Sequence, residues 1–282
     1  MSYLRTWLIV DVNYLCYRAY HSVGELTYEG EATGVLFGVM KTVQALSELH
    51  LTDYVMFCCD GPNNKRYHIY PEYKAGRKRD ESYDLFRAQV DRLPDDLRNA
   101  GFPNVLQQEG YEADDLMAQF AADLGRSEEG ILITEDQDLY QCLADNVWMY
   151  KPRKGNAYNI HTFLKEFDIP VRCWARVKSL AGCSSDNIKG VAGVGEKTAI
   201  KYLKGQLNRK SKKHKDIEAA LNARVPQTNM KIVQLPIDDG ITVKPVAEPH
   251  VPAHWEALAE NMGMGSLSRR KKRGKKEGGF GL

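Results

Sequence analysis

Acidic side chains recur in this sequence at spacings that ordinary surface solvation does not explain. Glu112-Ala-Asp-Asp115 places three acids in four residues at the start of a helical stretch, with Glu112 and Asp115 on one face. Acids at a helix amino terminus ordinarily cap free N–H groups and answer the dipole. Three together repel, however, and Thr134-Glu-Asp-Gln-Asp138 adds Asp136 and Asp138 at a strand end, so the set calls for a compensating cation. All-carboxylate oxygen ligation suits Mg²⁺ or Mn²⁺, and no paired Cys/His spacing points to structural zinc. A second pattern runs from Leu180 to Ala199. Gly190, Gly193 and Gly195 precede a helix beginning near Glu196, a tight hairpin whose N–H groups can approach a phosphate closely. Lys197 and Thr198 in the first turn suit a nucleic-acid backbone held without base reading. Asp186 lies beside it.

These residues need a scaffold. Trp7-Leu-Ile-Val-Asp-Val12, Tyr54-Val-Met-Phe-Cys-Cys-Asp60 and Gly130-Ile-Leu-Ile-Thr-Glu-Asp136 are short apolar runs ending in an acid. Each reads as a strand buried on both faces, with helices between them at about 34–49, 84–98 and 113–124. The fold class is therefore α/β, a mostly parallel central sheet flanked by helices, with the three Asp residues at the carboxyl edge where such sheets collect function. Beyond about Tyr158 short helices are expected near 161–167, 171–180, 196–203 and 216–223. An irregular proline-containing connection (225–252) and a helix at about 253–262 follow. The expected organisation is a core over 1–157 with a basic arch at about 63–83, a helical region over 158–262 with its hairpin motif at 182–203, and a disordered basic tail over 263–282.

The chain of 282 residues is 43% hydrophobic and 27% charged, with a formal net charge of +2. No apolar run approaches the roughly 18 residues of a membrane span. The six cysteines show neither C-x-x-C nor disulfide-framework spacing and read as reduced thiols. A buried-looking strand begins almost at once, so no secretory leader is expected, and the expected location is the cytoplasm. The small net charge hides segregation: residues 269–277 hold seven basic groups and one acid, 201–215 seven and none, and 63–79 six and one. An acidic remainder thus carries three basic segments, which fits a phosphate-rich partner. Tyr67, Tyr70 and Tyr73 interleave with the cations of the first segment, as stacking and backbone contacts would need.

Six motifs occur together and in order: Asp11 with Asn13 and Arg18-Ala-Tyr-His21; Cys-Asp60-Gly; Pro71-Glu-Tyr-Lys-Ala-Gly-Arg77; Glu112 to Asp115; Thr134 to Asp138; and Ser-Asp186-Asn-Ile through Lys-Thr-Ala199. From about Leu8 to Leu203 the chain resembles the 5′ nucleases (5′–3′ exonucleases and flap endonucleases) of bacteria and phages, whose fold is PIN-like. The resemblance implies a metal-dependent phosphodiesterase acting on DNA 5′ flaps, duplex ends and branched junctions, leaving a 5′-phosphate and a 3′-hydroxyl. It also implies two Mg²⁺ or Mn²⁺ ions per active site. Asp11, Asp60, Glu112, Asp114 and Asp115 would form or support the first site, and Asp136, Asp138 and Asp186 the second. Lys74, Arg77 and Arg18 would reach the scissile phosphate, and Tyr73 would stack on a base. Lys65 and Arg66 of the basic stretch, with Gly190, Gly193, Gly195, Lys197, Thr198 and Lys201 of a helix–hairpin–helix-like motif, would hold DNA, in some relatives with a bound K⁺. A monomer in a bacterial or phage-infected cell is expected, its basic tail adding DNA affinity or docking on a replication protein.

One position departs from the pattern. Where the family usually has Gly-Asp-x-x-Asp-Asn, this chain has Gly182-Cys-Ser-Ser-Asp-Asn187, so Cys183 replaces a carboxylate of the second site. A thiol is a poor Mg²⁺ ligand. One competing reading is therefore a non-catalytic DNA-junction binder on the same scaffold; a separate one is a ribonuclease of the related metal-dependent PIN-like class, which the hairpin disfavours.

Overall fold

The apolar runs form strands covered on both sides, and successive side chains enter different layers of core. The computed structural model describes residues 5–24, 26–77, 81–249 and 252–265. Strand β1 (Arg5–Asp11) is followed by helix α1 (Val12–Val23), the ribbon strands β2 (Thr27–Tyr28) and β3 (Glu31–Ala32), and α2 (Gly34–His50). Then come β4 (Tyr54–Cys59), α3 (Arg66–Ile69), α4 (Glu81–Asn99), β5 (Val105–Gln107), α5 (Ala113–Asp123) and β6 (Glu128–Ile133). A 3₁₀ turn at Gln137–Cys142 leads to β7 (Val147–Lys151), β8 (Asn156–Tyr158) and α6 (Ile160–Phe167). The remainder is α7 (Trp174–Ala181), the hairpin strands β9 (Gly182–Cys183) and β10 (Ile188–Lys189), α8 (Glu196–Leu203), α9 (Lys212–Asn222), α10 (Val225–Val233) and α11 (Pro252–Asn261). No helix among the described residues is long and apolar enough to cross a membrane.

The central sheet has the order β5-β4-β1-β6-β7-β8, parallel except for β8. The three acid-ended runs are thus neighbours, with β1 in the middle, paired Asp11 to Cys58 on one side and Val10 to Ile133 on the other. Strand order reverses about β1, with β4 and β5 added on one side and β6 on the other, which makes its carboxyl end the crevice where such sheets bind ligands. Trp7, Ile9 and Leu132 face one layer, packed with Phe120 of α5 and Trp174 and Val177 of α7. Leu8, Val10, Ile131 and Ile133 face the other, against α1, α2 and α4. Each fully buried large side chain contributes roughly 1.5–3 kcal/mol through lost apolar exposure.

The first layer continues without a break from β1 into Phe163, Trp174 and Ala199, across the boundary drawn at residue 157. The stretch expected to be irregular from residue 225 begins instead with α10. Pro226 lies in that helix's first turn, where its missing N–H has no intrahelical partner to lose, so it starts the helix rather than breaking it. Most of the tail expected to be disordered, residues 266–282, lies outside the described residues, as do Lys78 and Arg79 of the arch.

Candidate metal centre

Asp11 ends β1 and also caps α1, accepting from Tyr14 N at 2.9 Å, while Thr134 donates to its other oxygen at 3.0 Å. Asp60 follows β4, accepts from Ala113 N at 2.9 Å and is held by the Asn13 amide. Asp136 caps the 3₁₀ turn by accepting from Asp138 N at 2.8 Å. Glu112 and Asp114 stand at the start of α5. Glu112, Asp114, Asp136, Asp138 and Asp186 line one cleft with Lys74 and Arg77. Burial, the Asp60 charge and the Asp136 charge together push Asp11 up to about 7. Asp138 is pushed up to about 6 by burial and Asp136, against the opposing effect of Lys178. Asp60 is raised by burial and Glu112, and Asp114 lies well above the carboxylate range through burial, Asp136 and Asp11. Burial would raise Glu112 too, but Lys74 and Arg66 outweigh it and hold it low.

These observations fit divalent ions. Four carboxyls destabilise one another as anions, and the cation on Asp138 Oδ1, the Lys178 ammonium at 3.0 Å, is shared with Glu196. Asp11, Asp60, Asp114 and Asp136 offer only oxygen, the donor set of Mg²⁺ or Mn²⁺. A pH dependence follows. A carboxyl raised above its unfolded value of about 4 stabilises the fold below that value and loses the contribution as pH rises through its folded value. The melting temperature in EDTA is therefore expected to fall between about pH 5 and 8, through the values of Asp138 and Asp11, and millimolar Mg²⁺ to flatten the fall; a rising melting temperature in EDTA would contradict the clustering.

Several expected contacts are placed otherwise. Asp115 is fully buried and receives both guanidinium nitrogens of Arg66, at 2.5 and 2.9 Å, together with Glu112 N and Ile237 N. Its oxygens are occupied, so it buttresses the centre instead of facing an ion. Arg66 is correspondingly buried, with Nε on Ile232 O at 2.9 Å, and is no DNA contact. Tyr73 is 4% exposed and donates to Glu112 Oε2 at 2.8 Å, which leaves no ring face for stacking. Arg18 donates to Thr42 Oγ1 at 3.1 Å and does not line the cleft. Lys65 pairs with Asp238 at 2.7 Å and touches the Tyr111 hydroxyl.

Lys74 and Arg77 do reach the centre. Lys74 pairs with Glu112, and Arg77 with Asp186 at 3.2 Å. The segment is strapped to the Asp186 loop by Lys74 N on Asp186 O, 2.9 Å, and Asn187 Nδ2 on Glu72 O, 2.8 Å. Lys178 is a cation not singled out in the sequence, lying between Asp138 and Glu196, at 3.4 Å from the latter. Its signal was a lone lysine beside the apolar face of Trp174, Val177 and Leu180.

The hairpin between α7 and α8 uses its glycines for two purposes. A Cβ on Gly190 would fall 2.2 Å from the Ala181 backbone, so Gly190 serves close packing of the turn. A Cβ on Gly193, at φ +72°, or on Gly195 would meet nothing within 4 Å, and this open backbone is where another backbone could approach. Lys197 and Lys201 are exposed beside it and Thr198 is partly exposed.

The chain matches the family model of the 5′–3′ exonuclease N-terminal resolvase-like domain over residues 6–168. It is 29% identical over 204 residues to a 5′–3′ exonuclease of Aquifex aeolicus, covering 71% of this chain and 70% of that protein. It is 34% identical over 201 residues to the thermostable DNA polymerase I of Thermus filiformis, covering 70% of this chain but only 23% of the polymerase. The fold is shared with the bacteriophage T5 5′-exonuclease solved with divalent zinc, TM-score 0.69 at 23% identity over 82% of this chain and 90% of that one. It is also shared with the catalytic core of Rad2 solved with a DNA substrate, TM-score 0.54 at 15% identity over 92% and 87%. The strand-end acids, their order along the chain and a family match over more than half its length agree: the chain belongs to the 5′–3′ exonuclease family.

Proposed function

We propose that this protein is a structure-specific 5′ nuclease, hydrolysing DNA phosphodiesters at 5′ ends and 5′-flap junctions with Mg²⁺ or Mn²⁺. The observation that carries the reading is the carboxylate cluster at the adjacent ends of β1, β4 and β6, with Asp11 buried, Asp60 half-buried and Asp136 exposed to the cleft, and with Lys74 and Arg77 leaning over it. Divalent ions held there lower the pKa of an attacking water and stabilise the attacking and leaving oxygens. Asp11, Asp60, Asp114 and Asp136 would hold the first ion, and Asp138 and Asp186 the acidic side of the second position. Thr134, Tyr14 N and Asn13 fix the carboxylate orientations before any substrate arrives. Lys74 and Arg77, now paired with Glu112 and Asp186, would turn their charge to the non-bridging oxygens of the phosphate entering between them.

Duplex DNA would lie along the open backbone of Gly193 and Gly195, with Lys197, Thr198 and Lys201 on phosphate, the hairpin being the place for a bound K⁺. The lysines of 201–215 extend that track. The protein would act as a monomer in the cytoplasm, in replication or repair. Replacing Lys197 and Lys201 by Ala is expected to weaken duplex binding and reduce the slope of log affinity against log salt by about 1 per lysine in contact. An unchanged slope would remove both lysines from the interface. The reading itself is tested with a substrate panel: a 5′-flap duplex, a blunt duplex, a 3′-flap duplex and an RNA of the flap sequence. Cleavage restricted to 5′ ends and 5′ flaps of DNA is expected. Preferential RNA cleavage would favour a ribonuclease, and tight flap binding without cleavage in either ion a junction binder.

A further inference from the structure

Cys183 Sγ lies 3.2 Å from Asp186 Oδ2, and these donors together with a carboxylate oxygen of Asp138 all fall within 4.8 Å of one another. Among the described residues no other trio of Cys, His, Asp or Glu side chains closes as tightly. The sulfur is held there by the backbone: Cys183 pairs with Ile188 in the β9–β10 hairpin, and Gly182 and Gly190 touch at its base so closely that a Cβ on either would clash with backbone. A cation already answers this acid: the Lys178 ammonium lies 3.0 Å from Asp138 Oδ1 and has Glu196 as a second partner at 3.4 Å, to which it can turn when another cation takes its place.

We propose that Cys183, Asp138 and Asp186 form a mixed thiolate–carboxylate site that selects a thiophilic divalent ion, of the Zn²⁺, Co²⁺ or Cd²⁺ class, over Mg²⁺. The proposal rests on the nuclease reading only in placing a divalent ion at this end of the cleft. Mg²⁺ demands hard oxygen ligands and dehydrates reluctantly, whereas a thiolate strongly favours softer ions. Metal–sulfur and metal–oxygen bonds of about 2.3 and 2.0–2.2 Å at tetrahedral angles put sulfur and oxygen roughly 3.5 Å apart, close to the present Cys183–Asp186 spacing. On binding, the sulfur–hydrogen bond of Cys183 gives way to a sulfur–metal bond and its proton passes to solvent, with no change of oxidation state. Lys178 leaves Asp138 for Glu196. The two ion positions of the cleft then differ in kind, an all-oxygen position for Mg²⁺ or Mn²⁺ beside a sulfur-containing one.

The test uses the full chain, stripped with EDTA and returned to buffer containing Mg²⁺, then titrated with Co²⁺ while near-ultraviolet absorbance is recorded. A sulfur-to-metal charge-transfer band is expected to saturate near one equivalent, to persist against a roughly 100-fold excess of Mg²⁺, and to vanish in C183S. C183D is expected to show no band and to bind Mg²⁺ at the second position at least about tenfold more tightly by calorimetry. No band, or one unchanged in C183S, overturns the proposal. A second measurement needs no variant: Zn²⁺ is expected to slow iodoacetamide labelling of Cys183, read by peptide mass spectrometry, by about tenfold, and Mg²⁺ to leave it unchanged. Equal labelling with and without Zn²⁺ overturns it equally. Flap cleavage in Mg²⁺ without a band would remove this proposal and leave the nuclease reading standing; a band without cleavage in any ion would do the reverse.

Discussion

Replacing Asp136 with Asn is expected to abolish cleavage while raising the melting temperature of the metal-free protein. The two effects have one cause. Asp136 contributes to the raised values of Asp11, Asp114 and Asp138, so its charge is a cost to the metal-free fold. Asn retains an oxygen for the Asp138 N–H, which preserves the cap on the 3₁₀ turn. Removing the charge relieves the repulsion but takes away an ion ligand, and a loss of about 4 kcal/mol of transition-state stabilisation corresponds to roughly a thousandfold in rate. Duplex affinity in EDTA should be retained, since the proposed phosphate track runs over the hairpin and the α8–α9 region, away from Asp136. Single-turnover cleavage, a thermal melt in EDTA and a binding titration check the three parts. Substantial cleavage by the variant would mean that Asp136 does not hold an ion. A lower melting temperature would mean that its charge is compensated in a way the cluster does not show.

The second large effect is on stability. Arg66 and Asp115 are buried at 2% and 0% exposure, and the pair joins the foot of the arch to α5 and to the Ile237 segment. Replacing Arg66 with Met leaves the Asp115 carboxylate buried with backbone donors alone and leaves Ile232 O without its donor, a change expected to cost about 3–5 kcal/mol. Urea unfolding measures it. Because much of that cost is an uncompensated buried charge, the double replacement Arg66→Met with Asp115→Leu should recover a large part. A loss below about 1 kcal/mol for the single variant would show that solvent reaches the pair.

The β1, β4 and β6 core was legible because strands buried on both faces have few sequence alternatives, and each ended in an acid. The parallel arrangement followed from strand alternating with helix, whereas the central place of β1 did not, because alternation leaves strand order open. Helix α1 was not read, because it starts directly at the strand's terminal Asp11, one residue serving both elements. Strand β5, three residues long, and β7, which alternates buried with partly buried positions, lacked a continuous apolar run. Helix α10 was hidden by Pro226, whose meaning depends on its place in a turn.

Within the centre, residue type identified the acids but not their partners. Asp114 and Asp115 are adjacent and chemically identical in sequence. Helical geometry turns Asp114 into the cleft and Asp115 onto Arg66, whose side chain approaches from 49 residues away. Tyr73 and Arg66 read as DNA contacts because tyrosines and cations interleave there. Their burial depends on α10 and the chain after it, which pack beneath the arch through Ile232 and Val233. Such long-range pairing leaves no periodic trace in sequence.

The central claim is that the strand-end carboxylates make this chain a divalent-ion-dependent 5′ nuclease. The most direct test is a titration of Mg²⁺ or Mn²⁺ into the purified protein with a 5′-flap DNA duplex, products resolved to the nucleotide, alongside an EDTA control. Ion-dependent cutting at the flap base, leaving a 5′-phosphate on the duplex product and stopping on chelation, is the predicted result. Intact flap across the whole range of both ions, with the protein folded and bound to the DNA, would contradict it.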